Sequence, residues 1–97
     1  MPLETFPVDT SEYLDSPESQ LEVIADAMET GDAEYIAHVL GVVARARGMS
    51  SIAREAGVSR ESLYKALRRE GDPKLSTLMG VLKAMGVQLS AKATEHT

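Results

Sequence analysis

Five side chains that can hydrogen bond with the edges of nucleic-acid bases lie close together in the chain: Ser59, Arg60, Glu61, Tyr64 and Lys65. They fall at the start of one predicted helix, whose apolar residues form the opposite face. An arginine such as Arg60 grips a guanine bidentately, and a carboxylate such as Glu61 accepts from cytosine N4. A helical Glu61–Lys65 ion pair at i,i+4 is an equal alternative to base recognition by Glu61.

The segment that carries these side chains has the spacing of a helix-turn-helix. Ala53 is small where two helices cross, Gly57 follows at a turn that needs a positive φ, and Val58 fills the wedge between the helices. Ser59 is a natural N-cap for the second helix, and Leu63 faces the common core. The pattern predicts that the second helix enters the major groove of DNA. A plain helical hairpin has the same apolar spacing, but its polar face does not require a long donor at each turn.

A second set of donors around this motif suits the DNA backbone. Ser50 and Ser51 belong to the start of a helix, where backbone N–H groups attract anions, and the other members are arginines or lysines. Such contacts fix the register of the protein on the duplex and carry no sequence information. The predicted phosphate contacts are Arg47, Ser50, Ser51, Arg54, Arg68, Arg69 and Lys74.

The net charge of −5 is unusual for a nucleic-acid-binding chain, but the charges are segregated. Residues 1–44 contain ten acids and no Lys or Arg, whereas residues 45–97 contain all ten basic residues and five acids. This asymmetry indicates an anionic partner for the second half and favours a cationic partner for the first. That the acids only keep the outer helix faces solvated is an equally good interpretation.

Length, composition and the start and stop signals of helices predict one small all-α domain. Ninety-seven residues build a single core, and with 4% aromatics that core must be aliphatic. Caps, glycine stops and apolar periodicity predict five helices within residues 16–86, with the helix-turn-helix at residues 50–70. An arm, residues 1–15, precedes this domain. The tail, residues 87–97, alternates apolar and polar residues as a short strand does.

Three helices are predicted besides those of the motif, over residues 17–30, 33–47 and 74–85. In the first of them, four apolar residues recur at helical spacing and are predicted to face the core: Leu21, Ile24, Ala25 and Met28. In the last, the inward residues are Leu75, Leu78, Met79 and Leu82.

One such module recognises only a few base pairs, so we expect a homodimer on a two-fold operator. The predicted dimer surface comprises apolar residues beyond the needs of a five-helix core: Met79, Met85, Val87 and Leu89. A strand over residues 87–93 has two alternative partners, a second copy or residues 5–8 of its own chain.

The chain resembles the addiction-module antidote proteins, the HigA-like antitoxins of type II toxin–antitoxin pairs. Four segments carry the resemblance: residues 13–18, 44–50, 57–67 and 71–73. The run Ser-Arg-Glu-Ser-Leu-Tyr-Lys-Ala-Leu in the third segment is specific to that group, whereas the fold is shared with many repressors.

The resemblance implies a five-helix λ-repressor-like (Xre/Cro-like) helix-turn-helix fold. It also implies an antitoxin that binds operator DNA, represses its own operon and neutralises a small, basic, RelE-like mRNA-cleaving toxin. The toxin contacts of the family follow no short motif, so the first half supplies the candidates by charge and apolarity. The predicted anchors are Phe6, Tyr13 and Leu14, and the predicted charged rim is Glu18, Glu22 and Glu29. That the aromatics cover the first helix of the same chain is an equal alternative.

Other classes of function are disfavoured. Cysteine is absent, which excludes disulfides, thiolate metal sites and cysteine nucleophiles. Neither His38 nor His96 has partners at metal-ligand spacing, and the sequence has no phosphate-binding loop. We therefore expect no enzymatic activity, no cofactor and no metal. With no apolar run that could span a membrane and no secretory signal pattern, a cytoplasmic location is expected.

Two alternatives to the antitoxin remain open. One is a stand-alone phage-type transcriptional repressor with no toxin partner, and the other is a protein-interaction module without DNA binding. A neighbouring gene for a basic protein of similar length separates the antitoxin from the repressor.

Overall fold

The computed structural model describes residues 16–94, which form five α-helices and, within that range, no strand. The helices are α1 (Pro17–Thr30), α2 (Ala33–Arg47), α3 (Met49–Ala56), α4 (Arg60–Ala66) and α5 (Leu75–Ala84). The predicted all-α class is confirmed for these residues. The described single chain forms no strand over residues 87–93. A strand forms only where a neighbour pairs with it, so its pairing with a second copy stays a prediction. The predicted arm and its residues 5–8 lie outside the described range.

The first two helices begin and end where their capping residues and glycine stops predict. The Ser16 hydroxyl accepts a hydrogen bond from the Ser19 N–H at 3.1 Å, and the Asp32 carboxylate accepts from the N–H groups of Glu34 and Tyr35 at 3.1 and 3.3 Å. Gly31 ends α1 with a φ of +67°. These caps satisfy N–H groups that a helix cannot satisfy itself, and they fix the sharp corner between α1 and α2.

Helix α3 lies at the centre of the packing. It contacts α2, α4 and α5, and α1 packs against α2. The core is aliphatic, as the composition predicts, and all five helices contribute to it. Its buried members are Ile24, Ala27, Val39, Leu40, Val43, Ala44, Met49, Ile52, Ala53, Leu63, Leu67, Val81, Leu82 and Met85.

The buried face of α5 differs from the predicted one. Leu75 is 65% exposed and Met79 is 52% exposed, whereas Val81 and Met85 are buried. At about 100° per residue, the buried face is rotated by about 60° from the predicted stripe. The prediction centred the stripe on the bulkiest residues of the first two turns. The packing against α3 instead uses Val81, Leu82 and Met85.

The buried face of α1 also differs from the prediction. Leu21 is 53% exposed and Ala25 is exposed, whereas Gln20, Ile24 and Ala27 are buried. An apolar period cannot place a glutamine in the interior, so the prediction shifted the face towards Leu21. The buried position of Gln20 is explained by its hydrogen bond with α2, described below.

Gly41 lets two segments of the chain approach closely. A Cβ atom at this position of α2 would lie 2.5 Å from the carbonyl oxygen of Leu67, just after α4. Backbone atoms cannot yield as a flexible side chain does. Gly41 therefore sets the distance between α2 and the end of α4, a role that the sequence pattern did not indicate.

Replacing Gly41 with alanine is expected to destabilise the fold, although alanine is the better helix former by about 1 kcal/mol. The backbone clash outweighs that gain, and overpacking of this kind costs about 1–3 kcal/mol. Gly80→Ala is the matched control, since its Cβ would meet Ala56 at the milder distance of 3.2 Å. Urea unfolding of both variants measures the difference, and a Gly41→Ala variant as stable as Gly80→Ala would contradict the close-approach role.

Candidate nucleic-acid interface

A tight turn joins α3 to α4 where the sequence predicts one. Gly57 has a φ of +78°, a left-handed conformation that glycine adopts without steric cost. The Val58 N–H donates to the Ala53 carbonyl at 3.0 Å. Ala53 and Leu63 are buried, and Val58 packs partly buried against the core. The turn thus holds two short helices against each other and leaves the outer side of α4 exposed.

Helix α4 begins at a double serine cap. The Ser59 hydroxyl accepts from the Ser62 N–H at 3.0 Å and donates to the Ser62 hydroxyl at 2.9 Å. The predicted capping role of Ser59 agrees with this geometry. Its one donor hydrogen is engaged within the cap, so base contact by Ser59, which stays a prediction, is limited to accepting a hydrogen bond on the remaining lone pair of its oxygen.

The other four predicted base-contacting side chains lie exposed on α4: Arg60, Glu61, Tyr64 and Lys65. The guanidinium carbon of Arg60 lies 5.6 Å from the centre of the Tyr64 ring, a cation–π arrangement that holds both side chains on the exposed face. Within the described residues, Glu61 forms no ion pair with Lys65. The carboxylate is therefore not tied to the helix by the alternative that the sequence left open.

The predicted phosphate contacts surround this face. Helix α3 begins after Gly48 without a side-chain cap, so no side chain covers the N–H groups of its first turn. Ser50 is exposed there and Ser51 is half-buried. Arg47, at the end of α2, donates from its Nε to the Gln20 Oε1 at 2.6 Å. The remaining candidates are exposed: Arg54, Arg68, Arg69 and Lys74.

Arg68, one of the predicted phosphate contacts, lies beyond the end of α4. The helix ends at Ala66, and the chain turns back through Gly71, whose N–H donates to the Arg68 carbonyl at 2.8 Å. A Cβ at Gly71 would meet the Ala66 carbonyl oxygen, so this turn cannot carry a larger residue. Arg68 and Arg69 accordingly belong to the loop between α4 and α5.

His38 lies half-buried on α2 near the basic residues. Burial, followed by the positive charges of Arg69 and Arg45, holds the pKa of the His38 imidazole below its ordinary value of 6.5. The imidazole is consequently neutral at neutral pH. The sequence did not indicate this neighbourhood, because Arg69 lies 31 residues further along the chain.

Stability is expected to fall as the pH is lowered through the ordinary His38 pKa. The unfolded chain binds a proton on His38 near pH 6.5, whereas the folded chain binds it only at lower pH. Since the unfolded state holds more protons in this window, acidification lowers the free energy of unfolding. Urea unfolding on both sides of the window, with His38→Gln as the control, measures this contribution. An unchanged pH dependence in His38→Gln would contradict it.

The acidic residues of α1 share one exposed face, opposite the buried Gln20 and Ala27. These acids are Glu18, Glu22, Asp26 and Glu29. The Glu29 carboxylate pairs with the Lys92 ammonium at 2.7 Å, and this hydrogen bond and charge lower the pKa of Glu29. Glu29 is thus partly neutralised by its own chain, while Glu18 and Glu22 remain exposed. The predicted anchors Phe6, Tyr13 and Leu14 lie outside the described residues.

The predicted dimer residues separate into two groups. Met79 is 52% exposed and Leu89 is 38% exposed, and with Val87 they line an open cleft of about 630 Å³. Met85 is only 4% exposed and belongs to the core, so its assignment to the dimer surface is wrong. Leu75, which the prediction turned inward, is exposed instead.

Residues 16–94 contain no candidate for a membrane span or a metal cluster. No helix in this range is long and apolar enough to cross a membrane. No group of three or more His, Asp or Glu side chains in it is arranged to hold a metal ion.

Comparison with known proteins decides the family. Residues 4–93 match the model of a family described as "Probable addiction module antidote protein". The chain belongs to the addiction module antidote family. A relative of this antidote-family chain in Haemophilus influenzae (strain ATCC 51907 / DSM 11121 / KW20 / Rd), described as an uncharacterized protein, is 43% identical over 84 residues, 87% of each chain. No solved structure matches the antidote-family chain.

Proposed function

We propose that this protein is the antitoxin of a type II toxin–antitoxin pair and that it binds operator DNA through a λ-repressor-like helix-turn-helix formed by α3 and α4. In this role it represses its own operon and neutralises a basic, RelE-like mRNA-cleaving toxin. The observation that carries the proposal is the division of charge between exposed faces. Acids occupy the outer side of α1, and basic residues surround the turn between α3 and α4.

The DNA-binding part is supported by the way α4 is held. Leu63 and Leu67 are buried, so the helix is anchored by one face and presents Arg60, Tyr64 and Lys65 on the other. Arginine and lysine at the start of a helix of this kind contact base edges in the major groove. The uncovered N–H groups at the start of α3, with Ser50 and Ser51, suit a backbone phosphate.

The toxin-binding part is supported by family membership and by the acidic face of α1. Glu18 and Glu22 are exposed one turn apart, beside the exposed Leu21. An apolar side chain flanked by acids is complementary to a basic protein surface. Leu21 therefore joins the predicted anchors as a candidate toxin contact.

The test is to purify the tagged protein from its native host and to identify any stoichiometric partner by mass. We expect a basic protein encoded beside this gene. In Glu18→Lys/Glu22→Lys that partner is expected to be lost, because the variant reverses the charge of the α1 face. Glu55→Lys/Glu70→Lys makes the same charge change at exposed acids elsewhere and is expected to retain the partner. A homodimer without partner, with the neighbouring gene expressed, would favour the stand-alone repressor.

We also propose that the operator-binding form is a homodimer that uses the exposed apolar residues of α5 and the following segment. Met79→Glu/Leu89→Glu places two charges in that cleft and is expected to give monomers. Light scattering coupled to size-exclusion chromatography measures the mass. Leu21→Glu, a similar change on α1, should leave the dimer intact, and a dimeric Met79→Glu/Leu89→Glu variant would exclude this surface.

A further inference from the structure

Gln20 is the polar residue that the described structure buries, at 6% exposure. It lies in the second turn of α1, and its Oε1 accepts a hydrogen bond from the Arg47 Nε at 2.6 Å. A buried amide oxygen is costly unless it has a donor, and a charged donor is among the strongest available. The bond joins α1 to the last residue of α2, 27 positions along the chain.

The location of Arg47 gives this bond a consequence beyond stability. Arg47 directly precedes Gly48, after which α3 begins without a side-chain cap. Gln20, Arg47 and Ser51 line one open cleft of about 420 Å³ at this corner of the molecule. The bond with Gln20 uses one of the five N–H donors of the guanidinium, so the group can still contact an anion.

We infer that Gln20 is a positioning residue for DNA binding, which holds the Arg47 guanidinium beside the start of α3 for contact with a backbone phosphate. The inference rests on the proposed DNA-binding function. An exposed arginine at a helix end normally samples many rotamers, and ordering it on binding costs affinity. Because the bond with Gln20 already orders the Arg47 side chain in the folded protein, DNA binding does not have to order it. Gln20 contacts no DNA itself in this scheme.

The experiment measures binding of the full chain to a short duplex of arbitrary sequence at several salt concentrations. Phosphate contacts do not depend on sequence, so no operator has to be known. Gln20→Met keeps the volume of the side chain and removes the acceptor. We expect affinity to fall by about 2- to 10-fold, the effect of one freed side chain, with the salt dependence unchanged because Arg47 keeps its charge. Tyr35→Phe removes a polar group at an exposed position of α2, outside the helix-turn-helix and the proposed dimer surface, and should have no effect.

Arg47→Ala completes a double-mutant cycle. It is expected to weaken binding and to reduce the slope of log affinity against log salt by about 0.9, the value for one phosphate contact. Adding Gln20→Met to Arg47→Ala should weaken binding no further, since the group to be positioned is gone. Arg47→Lys, which leaves the buried Gln20 in place, serves if Gln20→Met unfolds. It should keep the salt slope and lose affinity as Gln20→Met does.

Each other outcome overturns the inference in an identifiable way. Equal losses from Gln20→Met with and without Arg47 would mean that Gln20 acts only on the fold. Wild-type affinity in Gln20→Met, in Arg47→Ala or in Arg47→Lys would mean that the pair does not contribute to phosphate contact. If the wild-type protein shows no salt-dependent duplex binding, the proposed DNA-binding function fails, and the inference fails with it.

Discussion

Replacing both Arg60 and Lys65 with alanine is expected to abolish sequence-specific DNA binding and to leave the fold intact. Both side chains are exposed on α4, and neither takes part in the buried contacts of Leu63 and Leu67. A good bidentate contact with a base is worth about 1–3 kcal/mol, so removing two such contacts lowers affinity by about 30-fold or more. Within residues 16–94, the substitutions disrupt the exposed cation–π pair of Arg60 with Tyr64, which is worth about 0.5–1 kcal/mol.

The measurement compares a duplex from the region upstream of the gene with a scrambled duplex of equal length. Arg45→Ala/Lys83→Ala removes the same charge from exposed positions outside α3 and α4 and serves as the control. We expect the control to weaken binding to both duplexes slightly, through its net charge alone. In Arg60→Ala/Lys65→Ala the preference for the upstream duplex should disappear while the melting temperature changes little. Retained preference would mean that Arg60 and Lys65 do not contact the bases, whereas a wild-type protein without any preference would favour the third interpretation, an interaction module without DNA binding.

The turn between α3 and α4 was predictable from the sequence because its determinants are local. Gly57 needs a left-handed backbone, Ser59 caps the next helix, and both requirements depend on residues within four positions. The same holds for the caps at Ser16 and Asp32. Local punctuation therefore gave the bounds of α1 and α2 and the position of the motif.

Determinants that join distant parts of the chain were not predictable. Arg47 of another helix donates to the buried Gln20, and a Cβ at Gly41 would meet the backbone of Leu67. Apolar periodicity predicts that Gln20 is exposed and that Gly41 only lowers the stability of its helix. For the same reason the inward faces of α1 and α5 were rotated. Periodicity identifies that a face exists, and the partner helix decides which residues lie at its centre.

In the candidate site, too, the features set by local sequence were predictable and those set by distant contacts were not. The exposed residues of α4 were predictable because they are what remains after the apolar face is assigned. The pairing of Glu29 with Lys92 and the effect of Arg69 on His38 depend on contacts between segments that are far apart in the chain. Charge segregation indicated two surfaces of opposite sign, but only the structure locates the exposed acids of residues 16–44 on α1, the Asp32 cap and the start of α2.

The second large effect is expected from Leu63→Ala. Leu63 is fully buried in the core, and truncating such a leucine costs about 2–5 kcal/mol. A chain of this size has about 5–15 kcal/mol of stability in total, so the substitution removes a large part of it. We expect the melting temperature to fall by about 10 °C or more. Leu21→Ala removes the same atoms from a side chain that is 53% exposed, and its effect should stay within about 0.5 kcal/mol.

Leu63→Ala should also weaken DNA binding at temperatures where the variant is still folded. Helix α4 has only seven residues, too few to be stable alone, so its buried leucines hold it in place. Loosening it moves every predicted base-contacting side chain at once, whereas Arg60→Ala/Lys65→Ala removes contacts and keeps the helix in position. Leu63→Ala is therefore expected to lose both affinity and stability, whereas Arg60→Ala/Lys65→Ala is expected to lose affinity alone. If Leu63→Ala bound the upstream duplex as the wild type does, α4 would not be the helix that enters the groove.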